Sequence, residues 1–207
     1  YESHIDRHIQ DTIKTRKVVD YLKPKTTMVE TILDRIMKEY ESTRGPLEID
    51  FDPDWRSPCE IGKENTNKRG NPTIAWTPTK RNAFVDDFSG LEQAIEAYVH
   101  DDIKKYYGRY WSSNIPLQAP DGFVELLFLW NQKDKDHLIE NLIGHFLACK
   151  QANTPFSIFF ACTERSSDYF LTLNNQTGVV QLELPGQKPI REVAPSLTDF
   201  LNTLTLV

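Results

Sequence analysis

The sequence predicts an α+β fold, a single domain in which a mixed or antiparallel sheet is flanked by helices. Apolar residues recur at helical spacing in several segments. Other segments are short stretches rich in β-branched and aromatic residues, typical of strands. The last three of these stretches follow one another across turns, without intervening helices. With 207 residues, 39% of them hydrophobic, the chain is long enough for one domain with its own core.

The first half of the chain predicts two helices and two short strands. "MVETILDRIMKEYES" has one apolar stripe, made by Val29, Ile32, Leu33, Ile36, Met37 and Tyr40. "PCEIG" and "TIAWTP" read as strands joined by the polar loop "KENTNKRGNP". A capped helix is expected from Ser89 to about Tyr107. Its buried side is predicted to hold Leu91, Ile95, Tyr98, Val99 and Ile103.

The second half predicts a strand, a helix, three strands and a last helix. "GFVELLFLW" is apolar enough for a central strand, and "KDHLIENLIGHFLACKQ" has a broad helical stripe. "PFSIFFACT", "DYFLTLNN" and "VVQLELP" are the three strands, and "NNQTG" predicts a hairpin between the last two. "SLTDFLNTL" predicts a capped helix.

Residues 1–27 are predicted to stand apart from the domain at 28–207. They contain Ile5, Ile9 and Ile13 at helical spacing and end at a Lys-Pro pair. They carry six bases and four acids, which leaves the rest of the chain more acidic. We interpret them as a helical extension or as an added segment.

The charge of the chain is acidic and unevenly distributed. A net charge of −6 argues against a general nucleic-acid binder, which would present a basic face. Residues 48–60 hold five acids and one base, and residues 84–102 hold six acids without Lys or Arg. Residues 63–81, in contrast, hold five bases and one acid. Such blocks are typical of a solvated surface or of one that attracts an oppositely charged partner.

The alternating acids of "EIDFDPDWRSPCE", residues 48–60, raise the question of a metal site. In an extended chain, four carboxylates would share one side: Glu48, Asp50, Asp52 and Asp54. From Asp50 the pattern begins like an EF-hand loop. However, Trp55 stands where that loop needs glycine, and Ile61 stands where it needs a bidentate glutamate. We therefore predict no calcium site.

Other cofactor and enzyme signatures are also missing. His145 and Cys149 lie one helical turn apart, but two ligands do not make a tetrahedral zinc site. That pair predicts a packed or hydrogen-bonded contact at a helix interface. The sequence contains no phosphate-binding loop, dinucleotide fingerprint or nucleophile elbow. We predict a protein that is not an enzyme and needs no cofactor, and a hydrolase built on carboxylates that folding brings together is left open.

The cysteines and the apolar stretches indicate a cytosolic protein. Cys59, Cys149 and Cys162 are widely spaced and form no C-x-x-C, as expected in a reducing compartment. The longest apolar stretch, residues 123–130, contains Glu125 and is too short to span a bilayer. Any membrane association is therefore expected to be peripheral.

Binding remains as the predicted role of the acidic blocks. If folding places the blocks side by side, they form one negative surface that would steer a basic partner and raise its on-rate. If they lie on opposite sides, they contribute only solubility. The predicted partner-binding residues are Glu48, Asp50, Asp52, Asp54, Glu60, Asp86, Asp87, Glu92 and Glu96.

From "RSPC" to the C-terminus the chain resembles the Syd family of the SUKH superfamily. The pieces that carry the resemblance are "SPC", "AWTP", "ENLIGH", "PFSIFFACTE", "NNQTGVV" and "SLTDFLNTL", in that order. "ENLIGH" at 140–145 is the most specific. We expect Asn141 and His145 of this segment to make internal hydrogen bonds.

The resemblance implies a bacterial cytosolic protein that binds SecY, a subunit of the SecYEG translocon, and associates peripherally with the inner membrane. It further implies an acidic concave surface that meets basic cytosolic loops of SecY, and a role in monitoring or disturbing abnormal SecY complexes. Such loops carry excess Lys and Arg, which agrees with the acidic blocks. The alternative within the same superfamily is an immunity protein that neutralises a basic nuclease toxin.

Overall fold

The computed structural model describes residues 28–81, 88–164 and 167–207. The helices in these ranges are α1 (Met28–Arg44), α2 (Ser89–Ile95), α3 (Asp101–Arg109), α4 (Gln132–Gln151) and α5 (Leu197–Asn202). The strands are β1 (Leu47–Asp50), β2 (Glu60–Thr66), β3 (Pro72–Trp76), β4 (Thr79–Lys80), β5 (Tyr110–Trp111), β6 (Ile115–Ala119), β7 (Gly122–Leu126), β8 (Ser157–Cys162), β9 (Phe170–Asn174), β10 (Val180–Glu183), β11 (Arg191–Ala194) and β12 (Thr205–Leu206). The predicted extension at 1–27 lies outside the described residues.

The strands form an antiparallel sheet of seven strands and two smaller sheets. The large sheet has the order β11-β10-β9-β8-β7-β6-β12, so β7 lies inside it, as predicted. A second sheet has the order β1-β3-β2, and β4 pairs with β5. Each pair of these strands is antiparallel. The predicted α+β class is confirmed.

Helix α1 forms as its sequence predicts. Five of the six residues predicted to form the apolar stripe are buried: Val29, Ile32, Leu33, Ile36 and Met37. The helix ends at Arg44, and the Gly45 N–H bonds to the Glu41 carbonyl at 3.0 Å. A Cβ at position 45 would lie 2.7 Å from the same oxygen, so only glycine fits there.

The predicted helix from Ser89 to Tyr107 is wrong in its length. The structure has two helices, because Glu96 adopts a left-handed conformation with φ 54° and ends α2. The Asn175 side chain holds the break: its Nδ2 donates to the Tyr98 carbonyl at 2.7 Å, and its Oδ1 accepts from the His100 N–H at 2.9 Å. Tyr98, predicted to be buried, is 87% exposed. The N-cap is Phe88, whose own side chain makes no capping hydrogen bond.

The loop between β2 and β3 is shorter than predicted. Strand β2 continues to Thr66, so the connection is only residues 67–71. The Asn67 Oδ1 accepts from the N–H groups of Arg69 and Asn71, at 2.9 and 3.0 Å. One side chain therefore closes this turn.

The predicted hairpin between β9 and β10 and the last helix are confirmed. Val180 pairs with Leu173 in the antiparallel register of the hairpin, and the Asn174 Oδ1 accepts from two N–H groups of the turn. Gly178 has φ 75°, and the His100 ring would lie 2.8 Å from a Cβ at this position. The Ser196 hydroxyl caps α5 by accepting from the Asp199 N–H at 3.1 Å.

The core contains an aromatic cluster centred on α3. Tyr106 stacks on Phe128 with ring centroids 5.1 Å apart and meets Phe160 edge-on at 5.7 Å. Its hydroxyl donates to the carbonyls of Leu127 and Phe160. Tyr107 is also buried and donates to the Phe159 carbonyl at 2.8 Å. Both phenols thus fill the core and still satisfy their hydroxyl groups.

Asp34 joins α1 to three other parts of the fold. Its carboxylate accepts from the Arg109 Nε and Nη2 atoms at 2.9 and 2.6 Å, from the Lys80 Nζ at 2.9 Å and from the Tyr110 hydroxyl at 2.9 Å. Burial alone would raise the pKa of Asp34. The hydrogen bonds from Arg109, Lys80 and Tyr110 outweigh it and lower this pKa to about 2.

Helix α4 covers a polar group buried under the large sheet. His145 Nε2 lies 3.1 Å from the Ser157 Oγ and 3.5 Å from the Cys149 Sγ. The Ser157 hydroxyl donates to the Glu183 carboxylate at 2.9 Å, and Glu183 is 3% exposed. Burial raises the pKa of Glu183 and lowers the pKa of His145. The predicted contact between His145 and Cys149 is confirmed, and it extends to two residues that the sequence did not single out.

We predict that Asp34→Asn lowers the free energy of unfolding by about 1–2 kcal/mol at pH 7, because hydrogen bonds to an ionised acceptor are lost. The folded-state pKa lies below the ordinary value, so the contribution of Asp34 is present above pH 4 and is lost as the pH falls towards 2. Urea unfolding between pH 7 and 3 measures this. The difference in unfolding free energy between wild type and variant should shrink at the acid end of this range.

The control is Asp136→Asn, at a carboxylate that is hydrogen-bonded to Gln132. An equal difference at all pH values would contradict the assignment.

We predict that Glu183→Gln stabilises the protein at neutral and alkaline pH. A raised pKa means that the folded state holds this proton more tightly than the unfolded chain. Stability contributed by the group is therefore lost as the pH rises from about 4.5 upwards. Glutamine stays neutral and still accepts from Ser157. Thermal unfolding at pH 4.5 and 8 should show a Tm increase of about 2–4 °C at pH 8 only. A lower Tm at pH 8 would contradict the prediction.

Candidate functional site

Strand β1 presents two acids on the outer face of the three-stranded sheet. Its side chains alternate: Leu47 is buried and Ile49 half-buried, whereas Glu48 and Asp50 are exposed. Glu48 lies opposite Ala75 and Asp50 opposite Thr73 on β3. Cross-strand partners share a face, so this outer face begins with two carboxylates at one edge.

The predicted alternation ends at Asp50, because the chain then turns. The Asp54 N–H bonds to the Asp52 Oδ1 at 2.9 Å, and the Trp55 N–H bonds to the Asp52 carbonyl at 3.2 Å. Asp52 and Asp54 are exposed on this turn rather than on a strand. Asp52 and Asp54 therefore come directly after the exposed acids of β1, but they do not have the regular side-chain spacing of a strand.

Trp55 anchors the turn to the rest of the domain. Its ring stacks on His137 of α4 with centroids 5.5 Å apart, and its carbonyl accepts from the Trp130 Nε1 at 3.0 Å. The Ser57 hydroxyl donates to the Trp130 carbonyl at 2.5 Å. Contacts of Trp55 and Ser57 with the rest of the domain thus fix the turn, while the Asp52 and Asp54 side chains are exposed to solvent.

Glu60 is not exposed, contrary to the prediction. Its side chain is 6% exposed, and its carboxylate accepts from the Arg56 Nε at 2.5 Å and from the Ser57 N–H at 3.0 Å. Ile61, the next residue, is 50% exposed and pairs with Ala75 on the outer face. This orientation is the reverse of the usual one, in which isoleucine is buried and glutamate is exposed.

The predicted site acids in residues 84–102 have different environments. The Glu92 carboxylate accepts from the Val99 N–H at 2.8 Å and pairs with the Lys104 Nζ at 2.5 Å, so it stabilises the break between α2 and α3. Glu96 is exposed at the end of α2. Glu92 and Glu96 do not form the predicted helical pair of free acids. Asp86 and Asp87 lie outside the described residues.

The acidic face is therefore a cluster of four residues, which we define as Glu48, Asp50, Asp52 and Asp54. In the described part of the chain, no ion pair is formed by these four carboxylates. Lys133 approaches the turn, but its Nζ contacts the Asp54 carbonyl oxygen at 3.4 Å. Ile61, Ala75 and Thr73 adjoin the acids on the same sheet. The arrangement suits a cationic partner with some apolar surface.

The described ranges contain neither a cluster of metal-binding side chains nor a membrane-spanning helix. Among residues 28–81, 88–164 and 167–207, no three His, Cys, Asp or Glu side chains are grouped so that they could share a metal ion. None of the helices in these ranges is long and apolar enough to cross a membrane.

Comparison with known proteins identifies the family. The family model described as "Syd protein (SUKH-2)" matches residues 26–205. The chain is 37% identical to Protein Syd of Pseudoalteromonas atlantica over 75% of this chain and 82% of that protein. It is 38% identical to Protein Syd of Alteromonas mediterranea, over 84% of this chain and 93% of that protein.

A third relative extends the same result. Protein Syd of Shewanella frigidimarina is 34% identical over 87% of this chain and 82% of its own length. The family match also includes the segment before "RSPC", where the acidic face lies. Since the match spans both the acidic face and the "ENLIGH" helix, the chain belongs to the Syd family.

Proposed function

We propose that this protein is a non-enzymatic regulatory protein that docks on the SecY subunit of the translocon through its acidic face. Membership of the Syd family supports the choice of partner, because the resemblance implies an interaction with SecY. The observation that carries the docking site is the cluster of four exposed carboxylates, none of which is paired within the described chain.

Electrostatic attraction supplies the recognition. Cytosolic loops of membrane proteins carry excess Lys and Arg, and four adjacent acids create a negative potential that draws such loops in. Exposed charge pairs contribute more to the rate of association and to specificity than to affinity. The exposed Ile61 beside the acids offers apolar contact once the loop has docked.

The structure changes which acids we assign to docking. Glu60 and Glu92 are already paired with Arg56 and Lys104, and we assign them to the stability of the fold. Glu96 is exposed and stays in the proposal as a separate, peripheral acid. Asp86 and Asp87 also stay in the proposal on sequence grounds.

The same charge argues that membrane association runs through protein rather than lipid. The cytoplasmic leaflet carries anionic lipids, which repel an acidic face. We therefore propose a cytoplasmic protein that reaches the inner membrane peripherally, through SecY. Its presence at the cytosolic loops would allow it to monitor or disturb abnormal SecY complexes.

We predict that the double variant Glu48→Lys and Asp50→Lys loses at least tenfold in affinity for vesicles that contain SecYEG, because attraction becomes repulsion. Both side chains are exposed and form no hydrogen bond or ion pair with the described residues, so folding should persist. Asp52 is left unchanged because it closes the turn. Co-sedimentation at low ionic strength measures binding, and circular dichroism checks the fold.

The matched control is Glu39→Lys with Glu140→Lys, which changes the charge equally at exposed positions on α1 and α4. This control should bind within twofold of the wild type. Vesicles without SecYEG should bind neither protein. If the β1 variant binds as the wild type does, β1 is not the docking surface. If the wild type does not bind SecYEG at all, the proposed partner is wrong, and a toxin becomes the partner to test.

Salt provides an independent prediction. At an ionic strength of about 0.15 M the Debye length is about 8 Å, so attraction between exposed charges is already weakened. Affinity for SecYEG vesicles should fall steadily as NaCl is raised, and the double variant should show a much flatter dependence. Binding that grows stronger with salt would point to a hydrophobic interface instead.

A further inference from the structure

A cleft of about 540 Å³ opens beside the turn between β6 and β7. It lies between that turn, the β9–β11 part of the large sheet, and α5. Its walls are largely apolar and include Val124, Leu171, Leu182, Val193 and Phe200. Cavities of this size and character are typical of sites that enclose a small ligand or a few side chains.

The sheet explains why the cleft is apolar. Leu171 pairs with Leu182, and Leu182 pairs with Arg191, so these side chains share one face of neighbouring strands. Helix α4 contacts the other face, through Ser157, Phe159 and Phe170. Tyr169, which is 41% exposed, lies at the rim of the cleft.

The described residues that line the cleft include two acids, Asp121 and Glu164, and one base, Arg191. Arg191 forms an ion pair with Asp121, in which the Arg191 Nη2 lies 2.6 Å from the Asp121 Oδ2. The charges of these two residues therefore offset each other. Glu164 also lines the cleft and is exposed. Within the described ranges, no cation is paired with Glu164. An anionic ligand would have to displace Asp121 from Arg191 and would face Glu164 as well.

We propose that this cleft is a binding site for an apolar side chain of a protein partner that stands next to a lysine or arginine. The apolar side chain would lie on Leu171 and Leu182, and the neighbouring cation would lie beside Glu164. Binding at the cleft would thus require an apolar side chain in the partner, whereas the acidic face on β1 requires only positive charge. Only the identity of the partner rests on the proposed function.

The two sites are set apart by the length of β7. The acidic face is tied to Trp130, beyond the end of β7, whereas the cleft lies at Asp121 and Gly122, where that strand begins. A basic segment bound at one site would therefore leave the other free. A partner that fills both would need two separate basic stretches or one long extended segment.

Short blocked peptides test the cleft without the translocon. The first has leucine and phenylalanine between two lysines, the second has the same apolar pair between two glutamates, and the third has two serines between two lysines. NMR titration of the full chain, labelled with ¹⁵N, measures affinity and locates each peptide. We expect the first peptide to shift Leu171, Leu182 and Val193 resonances and to bind at least tenfold more tightly than the other two.

Two variants locate the binding in the cleft. Thr203→Trp fills the entrance from an exposed rim position, and it should abolish binding of the first peptide. Glu164→Gln removes the proposed partner of the cation and should weaken binding about threefold. The matched control is Glu140→Gln, at an exposed acid on α4, which should leave the affinity unchanged.

Several outcomes would overturn the inference. Equal binding of the lysine and glutamate peptides would remove the role of Glu164. Equal binding of the serine peptide, or shifts confined to β1, would show that charge alone recruits the peptide. No binding of any peptide at millimolar concentration would show that the cleft takes no such side chain. None of these results bears on docking of SecYEG by Glu48 and Asp50, so failure of the cleft and failure of the proposed function are distinguishable.

Discussion

The carboxylate of Asp34 is the contact on which the arrangement of the domain depends. It binds Lys80 of β4, Arg109 of α3 and Tyr110 of β5 at once. An apolar stripe can fix which side of α1 is buried, but it does not fix the position of the helix along its own axis. Directed hydrogen bonds between Asp34 and three other elements fix that position. Strand β1 follows α1 after two residues, so the place of the acidic face is set through this carboxylate.

The acidic face gathers four like charges, of which only Asp52 makes a side-chain hydrogen bond within the described residues. Leu47 and Ile49 bury one side of β1, and antiparallel pairing with β3 also holds the strand. On the other side, polar residues of any charge would satisfy folding. Two other acids of the predicted site are neutralised instead, Glu60 by Arg56 and Glu92 by Lys104. Local choices that fold stability does not explain are typical of binding surfaces.

The sequence predicts what apolar spacing and turn residues determine, and it fails where individual polar contacts decide. Helices α1 and α4 and the β9–β10 hairpin follow from spacing and turn residues close in the chain. The break at Glu96 depends on Asn175, far along the chain, so apolar periodicity across residues 91–103 predicted one helix. The orientation of Glu60 depends on Arg56 and on the Ser57 N–H, which reverse the usual preference for burying isoleucine. Of the predicted site, the exposed acids Glu48 and Asp50 of β1 could be read from alternation, but the turn at Asp52 and the pairing of Glu60 and Glu92 could not.

The position of Trp55 gives the acidic turn an optical reporter of its own. The indole follows Asp54 directly, is half-buried, and lies against the imidazole of His137. Trp76 and Trp130, in contrast, are buried edge-to-face inside the domain. Indole emission depends on the polarity around the ring. A partner seated over the turn would exclude water from Trp55 before it affected the two inner indoles, and the natural fluorescence of the chain would therefore change at the docking site itself, without a dye.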